Sequence, residues 1–548
     1  MTGQLWFHFA SAILLTAVVS SVIVTWYRHA VARSMRIAGS APADVDPSFD
    51  RELLTWWLRV PATQHDREVG GIFAVERQLR RRAVVVYGLG GCVASAVMTA
   101  LYLIVLGDAL LPVRTFTIFY VFCWPIMPTL SFLLGLSRGR ALLAFAAYIG
   151  VGVLMIVPLS ALVAGWVNAI PLQNAIAFMQ FLAIQASLPF LIILVTSGRR
   201  IRSVAPVVLA ALLVFSFSNL AAGSALIAAL DFAAARDIIL SLGAYGGYNA
   251  WYLLAALPIG YACWQGLRLL GRQYERKVFS DAQLLVDAWW LIVTFVFSVL
   301  LVIDLGWGGL LLGLTAFVAY RMVIAAALAL WQLGDTWLIN RRLLLLRVFG
   351  FQRRTERLFD TVAQRWRWLG SVKIIAGADL ATRIIGPGDL ISFMGGRLRQ
   401  LFLRRDQTSF QRLGELDEAR DPDGRYRVNK IYCYEDSWQP ALRALLAATD
   451  FVLMDVRGFS DKNRGCLFEL QQLVEQDRAR RTVFIVDDTT DTKLLDTVLS
   501  GQTWASGATR EPSATPLNLV FAGSGSVADA DKVYRALGAL PTAKAVMH

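Results

Sequence analysis

The sequence predicts a polytopic α-helical membrane bundle followed by a cytoplasmic α/β domain with a mostly parallel sheet. Three observations carry that expectation. Hydrophobic residues make up 56% of the 548 positions and charged residues only 17%, whereas a soluble chain is nearer half apolar and a quarter charged. The excess is concentrated before about residue 335, where apolar runs recur at the length of a bilayer-crossing helix, about 20 residues. Beyond that point short apolar runs alternate with helical stretches, the signature of βαβ crossovers.

Nine segments qualify as crossings: 5–27, 83–106, 115–136, 141–163, 174–196, 204–230, 250–270, 283–304 and 309–331. The first lacks a basic n-region and is too uniformly apolar for a cleaved signal, so it reads as a retained helix. The connection 28–82 carries Arg28, Arg33, Arg36, Arg77, Arg80, Arg81 and Arg82. Every second connection after it is also basic, through Arg138 and Arg140, then Arg199, Arg200 and Arg202, then Arg272, Arg276 and Lys277. The opposite set holds Arg114 and Arg236. Cations mark the cytoplasmic side, so the N-terminus is expected outside and the chain after the last crossing inside. Within 28–82, FDRELLTWWLR (49–59) has the apolar spacing of an amphipathic helix at the headgroup zone or on the soluble domain. At bilayer depth the clearest charge is Arg321, with Asp287 and Asp304 in the preceding helix as candidate partners. The reading favoured here ends the last crossing near Tyr320 and lets Arg321 snorkel to the interface.

The membrane bundle therefore spans 1–335 and the α/β domain 340–548. Strands are expected at 343–349, 372–377, 429–434, 450–456, 482–488 and 517–523, with helices at 355–369, 388–402, 438–448, 465–476 and 528–539. Continuous apolar strands such as FVLMDV fit burial on both faces. Ligands of such sheets bind at the carboxyl ends of the strands, which directs attention to Gly350, Gly377, Asp379, Glu435, Asp436, the stretch 455–463, Asp487, Asp488 and the turn 523–526.

The net charge of +13 is assigned to topology, and no nucleic-acid partner is expected. Four histidines, with the soluble domain holding only His548, exclude His-based triads and His metal sites there. Five cysteines without a CxxC pair suggest neither a disulfide framework nor a zinc site. No GxGxxG follows the first strand and no GxxxxGK[ST] occurs. No metal is expected.

The densest constellation is ATDFVLMDVRGFSDKNRGCLFELQQL (448–473). A strand ends near Asp455; a polar loop follows with Arg457, Gly458, Ser460, Asp461 and Asn463; a helix opens at Gly465 or Cys466 with Glu469 in about its first turn. A carboxylate so placed could stabilise an oxocarbenium-like sugar or attack its anomeric carbon. The strand, the polar loop and the NRGCLFEL helix resemble bacterial TIR-like domains and the related nucleoside deoxyribosyltransferase-like fold, over roughly residues 343–540. The resemblance implies a Rossmann-like sheet. It implies Glu469 as the catalytic glutamate of a nucleotide N-glycosidase. NAD would be its candidate substrate, with no resident cofactor. Asp455, Arg457, Gly458, Ser460, Asn463, Gly377 and Asp379 would line the nucleotide cleft. The expected partners are the lipid bilayer, a nucleotide ligand and further copies of the chain. The place is the bacterial inner membrane, and the role is signalling or defence. A non-enzymatic scaffold and a transporter with a regulatory domain are the alternatives.

Overall fold

The computed structural model describes residues 2–38, 70–107, 112–164, 171–198, 204–233, 268–334, 340–347, 352–376, 387–394, 402–403, 416–434, 437–500, 518–523 and 526–540, with scattered residues between. The chain divides into two compact units. One comprises 1–28, 81–334 and 384–396; the other comprises 29–80, 335–383 and 397–548.

The first unit is helical. Its elements are α1 (Thr2–Ala38), α2 (Gly70–Leu106), α3 (Pro112–Phe122), α4 (Ile126–Leu133), α5 (Arg138–Ala164), α6 (Pro171–Thr196), α7 (Ala205–Leu230), α8 (Asp281–Leu305) and α9 (Trp307–Gly334). Helices α1 and α2 begin or end outside this unit. Among the described residues six helices are long and apolar enough to cross a membrane, seven if α3 and α4 form one span. The expected crossing at 115–136 is that broken pair, bent by 42°. The break falls at Pro125, which caps α4; proline supplies no N–H to the helical ladder. The expected seventh crossing, 250–270, and the amphipathic segment 49–59 lie largely or wholly outside the described residues. The centre of the unit is α8, most of whose length is buried. That fits a sequence which is hydrophobic on nearly every side.

Arg321 does not end its helix. Helix α9 runs on to Gly334, so Arg321 stands near its middle. Its Nη1 donates to Asp287 Oδ2 at 2.7 Å. Pairing, rather than reach to the interface, accommodates this charge.

The second unit holds β1 (Leu343–Arg347), α10 (Gln352–Trp366) and β2 (Val372–Ala376). The next helix, α11 (Pro387–Met394), was expected to run 388–402 beside the sheet. It belongs instead to the helical unit, where Phe393 meets the rings of Trp26 and Tyr27. The chain then returns as β3 (Phe402–Leu403), β4 (Val428–Cys433), α12 (Trp438–Ala447), β5 (Phe451–Asp455), α13 (Arg464–Glu475), β6 (Thr482–Val486), α14 (Thr492–Leu499), β7 (Asn518–Phe521) and α15 (Val527–Ala539). Strand β3 and helix α14 are additions to the expected elements.

The seven strands lie in the order β3-β4-β2-β1-β5-β6-β7, and each described pair is parallel. Strand alternation sends Leu343 and Leu345 to one face, under Leu358, Val362 and Trp366 of α10 and Val533 and Leu537 of α15. Leu344 and Leu346 go to the other face, under Leu442 and Leu445 of α12, Leu470 and Leu473 of α13 and Leu495 of α14. Each buried leucine contributes about 1.5–3 kcal/mol. At the amino ends of the strands, Arg342 forms a forked pair with Asp450, at 3.2 and 3.0 Å. Gly370 lets the chain pass the Arg341 backbone; a Cβ there would lie 1.9 Å from the Arg341 carbonyl oxygen. The first turns of α2 belong to this unit. There Glu76 is buried against Arg80 at 2.5 Å and Arg365 at 3.9 Å, and Arg365 lies over the Tyr534 ring at 4.1 Å.

Candidate functional site

The strand order reverses between β1 and β5. From β1 the chain moves one way to β2 through α10; from β5 it moves the other way to β6 through α13 on the opposite face. In open parallel sheets the crevice outside the carboxyl ends of two such strands is where ligands bind. The residues at that point are Arg347, Thr355, Asp455, Arg457 and Glu469.

Asp455 closes β5 opposite Arg347 in register. Its carboxylate accepts hydrogen bonds from Arg457 Nε at 2.8 Å, Arg457 Nη2 at 2.7 Å, Arg457 N at 3.2 Å and Thr355 Oγ1 at 2.6 Å. Arg457 also donates through Nη1 to the Ala522 carbonyl at 2.9 Å. Asp455 and Arg457 are each 2% exposed. The pair is thus a clamp joining the ends of β5 and β7 to the start of α10, and its polar atoms face one another. The turn is completed by Gly458, whose φ of +70° suits a residue without Cβ. Ser460 and Asn463 also satisfy each other: the Asn463 Oδ1 accepts from Ser460 N at 2.9 Å and Ser460 Oγ at 3.1 Å. Gly377, Asp379, Glu435 and Asp436 lie outside the described residues.

Glu469 differs from these. It sits in the second turn of α13, not the first, because that helix opens at Arg464. The helix dipole acts mainly within the first turn, so it does not account for the acid. The side chain is 7% exposed, beside buried Cys466 and Leu470. It forms no hydrogen bond or ion pair among the described residues, and its Oε2 is fully buried without a partner. Burial pushes the carboxyl up to about 8, and the nearby Arg347 charge offsets only part of that rise. The Cys466 thiol is pushed far up by burial and by Glu469, which removes it as a thiolate nucleophile.

Two participants escaped the sequence reading. Thr355 precedes the apolar positions of α10 and carries no motif. Arg347 closes the run LLLLR, and a cation ending a strand otherwise buried throughout was the available signal. Downstream, Asp487 folds into its own turn, accepting from Thr489 N at 3.0 Å. Helix α14 is capped by Asp491, which accepts from Leu494 N at 3.0 Å. Ser526 and Asp529 form a capping box at the start of α15. Among the described residues no group of His, Cys, Asp or Glu is placed to hold a metal ion.

Comparison with protein-family models, with curated proteins and with solved structures finds no match to this chain. The site is therefore read from its own geometry.

Proposed function

We propose that the chain is a membrane-anchored signalling or defence protein whose α/β unit binds a nucleotide at the β1/β5 crevice and cleaves its N-glycosidic bond. NAD is the substrate to test first. The observation that carries the reading is Glu469: an unpaired, buried carboxyl at the point where the strand order reverses. A carboxyl raised in this way is a functional-site candidate. In the reaction the bond from the ribose anomeric carbon to nitrogen breaks, its electron pair leaving with nicotinamide. The ionised Glu469 stabilises the cationic sugar, and a water adds its oxygen to the anomeric carbon and gives up a proton to solvent. The nearby Arg347 charge favours the ionised form of Glu469.

The proposed setting is the bacterial inner membrane, with the N-terminus outside, the α/β unit in the cytoplasm and several copies assembled. Nicotinamide release by the purified full-length protein in nanodiscs tests the reading. Wild type is expected to turn NAD over and Glu469→Gln to lose at least ~100-fold. Unchanged turnover in that variant would remove the assignment.

A second reading rests on the Asp455–Arg457–Thr355 clamp. With those groups bonded to one another, the unit would act as a non-enzymatic scaffold that binds a nucleotide or a protein. Saturable NAD binding without nicotinamide release would favour it.

A further inference from the structure

The most buried helix of the bundle carries a polar stripe. Gln283, Asp287, Trp290, Thr294 and Ser298 follow one another at spacings of four, three, four and four, so they share one face of α8, and all are buried. The stripe changes character along its length. Near the Ser298 end it is tightly closed. The Ser298 hydroxyl donates to the Thr294 carbonyl at 2.7 Å, and a Cβ on Gly313 of α9 would lie 2.3 Å from Ser298 Oγ. Thr294 is likewise bonded to its own helix, at 3.0 Å to the Trp290 carbonyl. Toward the Ser280 end two polar atoms of the stripe are left without a partner. The Gln283 Oε1 and the Trp290 indole N–H are fully buried and have no hydrogen-bond partner among the described residues. Between them lies the Asp287–Arg321 pair, whose contact is a single hydrogen bond.

Depth matters here. Arg82 lies 5.8 Å over the Trp331 ring, the pairing of cation and aromatic ring found at membrane interfaces. Arg321 stands ten residues before Trp331, about 15 Å along the helix, or half of a ~30 Å hydrocarbon core. An orphaned buried polar group there is costly unless something bonds it. The occupant is constrained by charge. Asp287 and Arg321 cancel, so adding an ion would leave a net charge at mid-depth, whereas a neutral molecule would not. Gln283 needs a donor and Trp290, seven residues and about 10 Å further along the helix, needs an acceptor, and separate waters supply both.

We propose that this face of α8 lines a one-sided hydrated inlet. It opens at the Ser280 end, is floored by the Asp287–Arg321 pair and is closed at mid-depth by the Trp290 ring stacked on Tyr320 at 5.0 Å. It admits water and small neutral hydrogen-bonding solutes and excludes ions. The inference is independent of the α/β unit.

Trp289 supplies an internal control. It lies beside Trp290 at the same depth and is 1% exposed, but its indole N–H is bonded to Thr196 Oγ1 at 2.9 Å. Full-length protein with 15N-indole tryptophan is placed in nanodiscs and transferred to D2O. Trp290→Phe and Trp289→Phe assign the two signals. The Trp290 signal is expected to vanish at least ~10-fold faster than that of Trp289. Gln283→Leu, which removes the buried acceptor nearest the Ser280 end, is expected to slow Trp290 exchange at least ~10-fold. Two persistent signals would mean a dry core, and two lost at equal rates would mean opening of the whole bundle; either overturns the proposal. An unchanged Trp290 rate in Gln283→Leu would overturn entry from that side.

Discussion

Glu469 and Arg457 are both buried polar residues at the carboxyl end of the sheet, yet they stand in opposite situations. Arg457 is bonded to three elements. Arg457→Ala would leave the Asp455 carboxylate buried and uncompensated, at a cost of about 3–5 kcal/mol, read as a lower unfolding midpoint of the α/β unit in urea. Thr355→Val, which removes one donor to Asp455, is expected to cost about 1–2 kcal/mol in the same titration. Glu469 has the reverse sign. Its carboxyl titrates near the ordinary 4.5 when unfolded and near 8 when folded. Between those values the folded state keeps a proton that the unfolded state has lost, so the acid's contribution to stability declines as pH rises through that window. Glu469→Gln is expected to match wild type near pH 4 and to exceed it by up to about 5 kcal/mol at pH 9, as measured by chemical denaturation at the two pH values. Equal stability at pH 9 would show that the acid is not held neutral. The motif around Glu469 was legible in the sequence. Its isolation was not, because that depends on which neighbours fold away from it: Asp455 points to the α10 face, while Glu469 comes from the helix on the other.

At the scale of elements, apolar runs found most of the described helices of the bundle, and continuous apolar runs found six of the seven described strands. The misses have physical causes. Strand β3 is only Phe402–Leu403, too short for any periodic signal, and it was absorbed into a neighbouring helical pattern. Helix α11 is apolar because it packs with Trp26 and Tyr27 in the helical unit, a destination that periodicity does not encode. The span containing Arg321 was cut short because a charge in an apolar run resembles an end, and the partner that permits it lies 34 positions earlier. Packing around α8 makes a further prediction. A Cβ on Gly91 of α2 would lie 2.7 Å from Ile126 Cγ1 and 2.8 Å from Trp290 Cζ2, whereas one on Gly88 would meet nothing within 4 Å. Gly91→Ala is expected to destabilise the bundle by about 1–3 kcal/mol. Gly88→Ala should be neutral or stabilising by up to ~1 kcal/mol through helix propensity. Detergent-unfolding midpoints of the two variants compare them directly.

At the scale of the molecule, one chain carries two units with different solvents written into them: a bundle whose α8 is buried on nearly every side, and a parallel sheet buried on both faces. The protein is expected to stay in the membrane fraction after alkaline carbonate extraction, and a tag after residue 548 to be protease-accessible only from the cytoplasmic side. A tag accessible from outside would reverse the proposed orientation. The chemical claim has its own direct test, the pH profile of NAD turnover by the full-length protein in nanodiscs. A pyridinium leaving group departs without a proton, so only the ionised Glu469 serves. The rate is therefore expected to rise with pH through about 8 and to be at least ~100-fold lower at every pH in Glu469→Gln. A flat profile, or undiminished turnover in that variant, would contradict the account.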